Sequence, residues 1–321
     1  MPIPTPLTSG KPNSRMPLPP QLPVVPTGSN PAVVLRRRAA RRLTAALGVT
    51  LAVLPLTALS STARAAPRAD PSGSGICQSS LYPHLAAVLS ADIARAHAGR
   101  KSTIAFTLWD AEKQLSCADN ANRRFDSASV VKVTIMGALL RRAEEGHRLL
   151  TAVETKNLRL MIIKSDNAAA TTLWNSLGPA CLGRFLQLAG MRDTVLSPGK
   201  TWGLTQITAI DEMKQLDVFA SESTVLSPSD RGYGLKLMSQ VQADQRWGAP
   251  HGVPAGIRVQ VKNGWAPRAT RGWRIHSLGV FTGTGRNYRM AVLTDNNATK
   301  AYGVDTIQRI AAIVHHDLNV R

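Results

Sequence analysis

Strand-forming runs stand at both ends of the foldable part of this chain, and helical patterns fill the middle. Residues 103–109 and 113–117 flank a short polar turn and predict a hairpin. Residues 257–261, 273–282 and 288–294 predict three more strands, whereas apolar side chains at helical spacing dominate 153–191 and 208–243. This order implies an α+β fold in which the early hairpin joins the late strands in one antiparallel sheet. The expected sheet lobe comprises residues 81–128 and 255–321, and the expected helical lobe residues 129–254. An amphipathic helix over 81–98, with Leu85, Val88, Leu89 and Ile93 on one stripe, and a last helix over 301–315 should flank the sheet. A cleft between the lobes is where a site belongs.

What precedes residue 81 has a different composition. Residues 1–35 are rich in Pro, Ser, Thr and Gly without any period, and no fold is assigned to them. A cationic block (Arg36, Arg37, Arg38, Arg41, Arg42), an apolar stretch over 43–59 and the small-x-small run Ala63-Arg64-Ala65 follow. Together residues 36–65 form the three-part pattern of an export signal, with cleavage after Ala65. Pro55 interrupts the apolar stretch, which is short for a membrane span, so no stable span is expected after cleavage. Both the general and the twin-arginine export routes remain open. Residues 66–80 read as a flexible lead-in, and the mature protein is expected to be secreted or wall-associated and to act as a monomer.

The 321-residue chain is 44% hydrophobic, which suits a globular protein. Of its 39 Lys and Arg residues, eight precede residue 66 and none of its 20 acidic residues does, leaving 31 against 20 in the mature part. That excess is spread through the chain and carries no zinc-finger or aromatic RNA-binding signature, so no nucleic-acid partner is expected. A basic surface suits an anionic cell wall. Cys77, Cys117 and Cys181 form no CxxC pair, which argues against a structural zinc site. In an oxidising compartment one disulfide and one thiol are expected; Cys77–Cys117 is the favoured pair, and Cys181, inside an apolar helical pattern, should be buried and inert.

The chemistry concentrates at Phe125-Asp126-Ser127-Ala128-Ser129-Val130-Val131-Lys132, which opens an apolar helix running to about Glu145. On a helix, Ser129 and Lys132 share one face within hydrogen-bond reach. Ser129 also falls in the first turn, where unpaired N–H groups favour developing negative charge. An isolated Ser-x-x-Lys is most often a helix cap, and a second copy, Ser197-Pro198-Gly199-Lys200, lies in a Pro/Gly turn and reads as loop. Ser165-Asp166-Asn167 follows one apolar run and precedes another, and Lys262-Asn263-Gly264, with Trp265 next, comes directly after a predicted strand. Each alone reads as a cap or a turn.

Together, in this order and context, the three motifs resemble the class A β-lactamase and penicillin-recognising serine hydrolase family over residues 81–318. The resemblance implies that Ser129 is the acylated nucleophile and Lys132 the group that activates it. Ser165 would pass a proton to the leaving nitrogen with Lys262 beside it, Asn167 would bind a substrate amide, and Asp166 would anchor its loop. Backbone N–H groups of Ser129 and Trp265 would hold the oxyanion, with Gly264 and Asn263 beside them. The substrate would be a β-lactam or a peptidoglycan peptide, with no cofactor and no metal. Among the seven histidines no metal-ligating arrangement occurs, and His276, in a strand pattern, reads as a packing residue.

Three departures qualify that resemblance. Ser129 and Ser165 are only 36 residues apart, so a wall of the cleft should be missing. Asn263 stands where the family has Thr or Ser; an Asn amide could meet a substrate carboxylate instead, and Arg271 or Arg274 could supply a charged partner, with Arg274 carried as the candidate although spacing does not decide between them. Residues 189–220 lack the Glu-x-x-Leu-Asn setting that activates a deacylating water, and Glu212 is expected on a helix surface.

Overall fold

The early hairpin and the late strands meet in one sheet in the computed structural model, which describes residues 75–320. The 1–35 preface, the 36–65 export pattern and most of the 66–80 lead-in lie outside the described residues. The chain runs β1 (Cys77–Ser79), α1 (Pro83–His97), β2 (Thr103–Asp110), β3 (Leu115–Asp119) and β4 (Phe125–Asp126). A 3₁₀ turn (Ala128–Val131) then leads into α2 (Lys132–Glu145), α3 (Ala152–Ile163) and α4 (Asn167–Leu188). After these come β5 (Gln206–Ile207), α5 (Ala209–Ala220) and α6 (Pro228–Ser239). The chain closes with β6 (Arg258–Ala266), β7 (Trp273–Gly283), β8 (Arg286–Asn297) and α7 (Lys300–Val320).

Six strands in the order β1-β3-β2-β8-β7-β6 pair antiparallel, and β4 with β5 makes a separate two-stranded ribbon. Side chains alternate across the sheet and divide the interior into two cores. On β2, Ile104, Phe106 and Leu108 enter the core under α1 and α7, while Ala105 enters the core of the helical side. On β8, Met290 and Val292 take the first face, and Ala291 and Leu293 the second. Helices α3 to α6 start on side-chain caps: Thr151 and Glu154 form a reciprocal capping box on α3, and the Asp166 carboxylate accepts from Ala169 N at 2.7 Å on α4. Among the described residues, no helix is long and apolar enough to cross a membrane.

Cys77 and Cys117 are bridged, which ties β1 to β3 at the sheet edge. Cys181 is half-buried rather than fully buried, and that burial raises its thiol pKa. Glu212 differs more from expectation. It is fully buried, because α5 is walled by β2, β7 and β8 on one side and by α6 on another. Its Oε2 accepts from Gln215 Nε2 at 2.7 Å, and Gln215 Oε1 accepts from Thr134 Oγ1 of α2 at 2.6 Å. Burial, and then the neighbouring Asp211 charge, push the Glu212 carboxyl well above the usual range.

Two stability measurements follow from this packing. The bridge closes a 40-residue separation, so reduction is expected to cost about 2–4 kcal/mol by releasing the unfolded chain, seen as a lower melting temperature with reductant. An unchanged melt would contradict that. Glu212 keeps its proton in the folded state above about pH 4.3, where an unfolded glutamate gives it up, so its burial costs stability as pH rises through that value. Glu212→Gln should therefore melt with the wild type in acid and above it at neutral pH. Parallel curves at both pH values would show that the carboxyl is not held neutral.

Candidate active site

Three separate segments converge on one buried amine. The 3₁₀ turn supplies half-buried Ser129, and the first residue of α2 supplies Lys132, which is 0% exposed. Lys132 Nζ lies 3.0 Å from Ser129 Oγ. It also donates toward Ser165 O at 2.6 Å, Ser165 Oγ at 3.1 Å and Asn167 Oδ1 at 2.8 Å, all from the turn between α3 and α4. Four oxygens surround an ammonium that has three hydrogens to give. From the other side Lys262 Nζ, on β6, reaches the same Ser165 Oγ at 3.0 Å and its neighbour's Asn263 O at 2.8 Å.

Burial lowers the Lys132 pKa from 10.5 to about 7, with the Asp166 charge opposing the shift. Burial, and then the Lys132 charge, push Lys262 well below the ordinary lysine range. A neutral amine beside a serine hydroxyl can take its proton.

The backbone around this amine is unusual at two places. Ala128, just before Ser129, has φ +46°, and Ser165 itself has φ +54°. Left-handed backbone at non-glycine residues costs energy and persists where the surroundings over-determine it. Here the restraints are visible. Ser127 N donates to Thr205 O at 2.9 Å, and the ribbon pairs Asp126 with Gln206. The Asp126 carboxylate receives Gln206 Nε2 at 2.6 Å and Arg268 Nε at 2.9 Å, with Arg274 Nε at 3.6 Å. His276, fully buried with its pKa lowered to about 4 by burial, accepts from Thr294 N through Nδ1 at 3.2 Å. Its Nε2 is therefore the donor to Asp126 O, at 2.8 Å.

Gly264 brings β6 against this turn. A Cβ there would stand 2.8 Å from Ser129 N and 2.9 Å from Val130 N, closer than real contacts allow. Because β6 is the last strand of the sheet, alternate N–H groups along it lack a ladder partner. The Trp265 ring turns to the α7 side, edge-on to Trp247 at 5.8 Å with Lys300 Nζ 4.3 Å from its centroid. Gly264, not the Trp265 indole, is what borders the turn.

Two expected substrate contacts are engaged elsewhere. Asn263 is fully buried, and its Nδ2 donates to Gln245 O at 2.9 Å and Trp247 O at 2.7 Å, so the amide ties β6 to the preceding loop. Arg274 is 7% exposed, and its guanidinium donates to Thr270 O at 2.6 Å and Gly272 O at 3.1 Å and faces Asp126. Burial lowers its pKa. Arg271 pairs with buried Asp295. Between Ser129 and Ser165 the chain holds only α2, one connection and α3. A residue outside the motifs completes the site: the Trp202 ring centroid lies 4.9 Å from Lys132 Nζ. The sequence signal for it was a large aromatic within the Ser/Pro/Gly stretch 197–203. Among the described residues no group of three or more His, Cys, Asp or Glu side chains is placed to hold a metal.

Gly264→Ala should fold, yet displace the Ser129 turn by a few tenths of an ångström or more. Misplacement on that scale is expected to slow modification of Ser129 by an acylating reagent by ~10-fold or more, read by intact mass. Unaltered modification would mean that the close approach has no role.

A model of the Beta-lactamase enzyme family matches residues 86–157 and 155–318. A β-lactamase from Sphaerobacter thermophilus superposes with a TM-score of 0.62 at 23% identity, over 73% of this chain and 97% of that one. A class A β-lactamase from Bacteroides cellulosilyticus gives 0.63 at 18%, over 73% and 98%. At these identities the likeness is one of fold. The Mycobacterium tuberculosis protein named "Putative lipoprotein LppW" is 30% identical over 174 residues, which is 52% of this chain and 54% of that protein. The chain thus spans about half the length of the curated relatives it matches. The family match runs through every element that carries the Ser129, Ser165 and Lys262 motifs, and by it this chain belongs to the Beta-lactamase enzyme family.

Proposed function

We propose that this protein is an exported serine acyl-transfer enzyme that opens a β-lactam or a related amide and holds the product as an ester on Ser129. The observation that carries the reading is the 3.0 Å contact between Ser129 Oγ and the buried Lys132 amine. Ser129 Oγ attacks the carbonyl carbon while its proton passes to Lys132 Nζ. The oxyanion meets the Ser129 amide and the Trp265 amide on the exposed edge of β6. As the C–N bond breaks, Ser165 Oγ gives its proton to the leaving nitrogen and is resupplied by Lys132, 3.1 Å away. Exposed Asn167 then lines the substrate side of Lys132.

Export is supported by the 36–65 leader pattern, by the Cys77–Cys117 bridge and by the lipoprotein name of the mycobacterial relative. A peptidoglycan peptidase or a penicillin-binding protein that seldom turns over fits the same chemistry. One observation favours that side: residues 191–205 contain no glutamate, and an indole rather than a carboxylate stands beside Lys132.

Mixing with benzylpenicillin should add the mass of the intact drug to the wild type and nothing to Ser129→Ala. Lys132→Ala should acylate ~100-fold more slowly or worse, the typical worth of a positioned base. The wild-type acylation rate should climb as pH rises through about 7, because Lys132 accepts a proton only after losing its own. If wild type and Ser129→Ala behave alike, the acylation reading is wrong.

A further inference from the structure

Trp202 is held too deliberately to be a passing contact. Its Nε1 donates to Thr171 Oγ1 of α4 at 3.1 Å, and the loop it rides on is pegged to α4 again by Trp174 Nε1 on Gly199 O at 2.8 Å. Val195 and Gln206 exchange two backbone bonds of 2.9 Å that close the loop's neck, and Ser197 N donates to Thr205 Oγ1 at 3.2 Å inside it. The loop therefore has little freedom to swing away, and the half-buried indole stays beside the amine.

Loss of an acyl group to water needs a definite sequence. A water oxygen adds to the ester carbonyl carbon while the water gives a proton to a base; the C–Oγ bond then breaks, and Ser129 Oγ takes that proton back. Lys132 Nζ is the base within reach of Ser129 Oγ. Its other approaches are filled by Ser165 O, Ser165 Oγ, Asn167 Oδ1 and the Trp202 ring. An indole face takes no proton and does not orient a water as a carboxylate does.

We propose that Trp202 is a water-excluding cover on the Lys132 side of the Ser129 ester, a positioning residue that makes the acyl-enzyme long-lived. The inference rests on acylation of Ser129 as read above. It assigns the persistence of the adduct to a residue that is present as well as to a carboxylate that the loop lacks.

The test follows the benzylpenicillin adduct by intact mass after free drug is removed, with released product assayed in parallel. Wild type and Trp202→Phe, which keeps an aromatic cover, should hold the adduct on a similar timescale. Trp202→Ala should lose it ~10-fold faster or more, within the range a newly admitted base-assisted water can supply. That loss should accelerate as pH rises through about 7, where Lys132 becomes able to accept a proton, a dependence that loosened packing alone would not produce. Trp202→Leu, which keeps apolar packing while uncovering part of the amine, carries the same expectation should the alanine variant not fold. Equal adduct lifetimes in wild type, Trp202→Ala and Trp202→Leu would overturn the cover and leave acylation standing, as would rapid product release by the wild type. Folded proteins that yield neither adduct nor product would overturn the acylation reading and the cover with it.

Discussion

Everything in the site depends on keeping one lysine out of water. A free lysine amine is charged at neutral pH and takes no proton from serine; Lys132 could do so only because burial brings its pKa to about 7. That shift corresponds to roughly 5 kcal/mol of preference against its charged form. The cost is met by architecture, since a buried amine without acceptors would be untenable in either state. Ser129 comes from its own turn, Ser165 and Asn167 from the α3–α4 connection, and the indole from the crossing loop. Those segments are fixed in turn by the two hydrophobic cores on either side of the sheet.

The same constraint explains why the backbone around the amine is tense. Ser129 and Ser165 must both point at one nitrogen, and the chain reaches those positions through left-handed residues at 128 and 165. The strain is local and the restraint is distributed. Asp126, three residues before Ser129, collects Gln206, Arg268 and Arg274 on its carboxylate and His276 on its carbonyl. Gly264 lets β6 close against the turn without a side chain in the gap. Arg274 is thereby explained as part of the foundation beneath Ser129 rather than as a contact for substrate.

These distinctions mark where the sequence was readable. Spacing alone placed Ser129 and Lys132 together, because a helical turn fixes the geometry of i and i+3 whatever surrounds it. The long strands were legible as strand-forming runs beside turns, and their register is held because one residue's shift would exchange Phe106 or Met290 with neighbours bound for the other core. Glu212 was misread because α5 buries polar positions as well as apolar ones, including Asp211 and Gln215, so its pattern does not mark a wet face. The orientation of Asn263 depends on carbonyls 16 and 18 residues earlier in the chain, and no local signal reports them. Trp202 meets Lys132 across 70 positions of sequence, which only the closed loop and its two indole anchors bring together.

On the acylation route proposed above, Ser165 would be the hinge of the proton chemistry for a reason that its motif does not state. Its hydroxyl has one hydrogen and two lone pairs, and two lysine amines approach its oxygen at 3.1 and 3.0 Å. If both amines donate, both lone pairs are occupied and the one hydrogen is free to face a leaving nitrogen. If Lys132 is neutral, the hydrogen can turn to it instead, and the hydroxyl no longer offers a proton to substrate. The protonation of Lys132 by Ser129 would therefore reorient Ser165 at the moment the departing nitrogen needs an acid. Lys262, pushed by burial and by the Lys132 charge toward its own neutral form, keeps the two titrations linked, so the proton positions belong to the trio and not to any one residue.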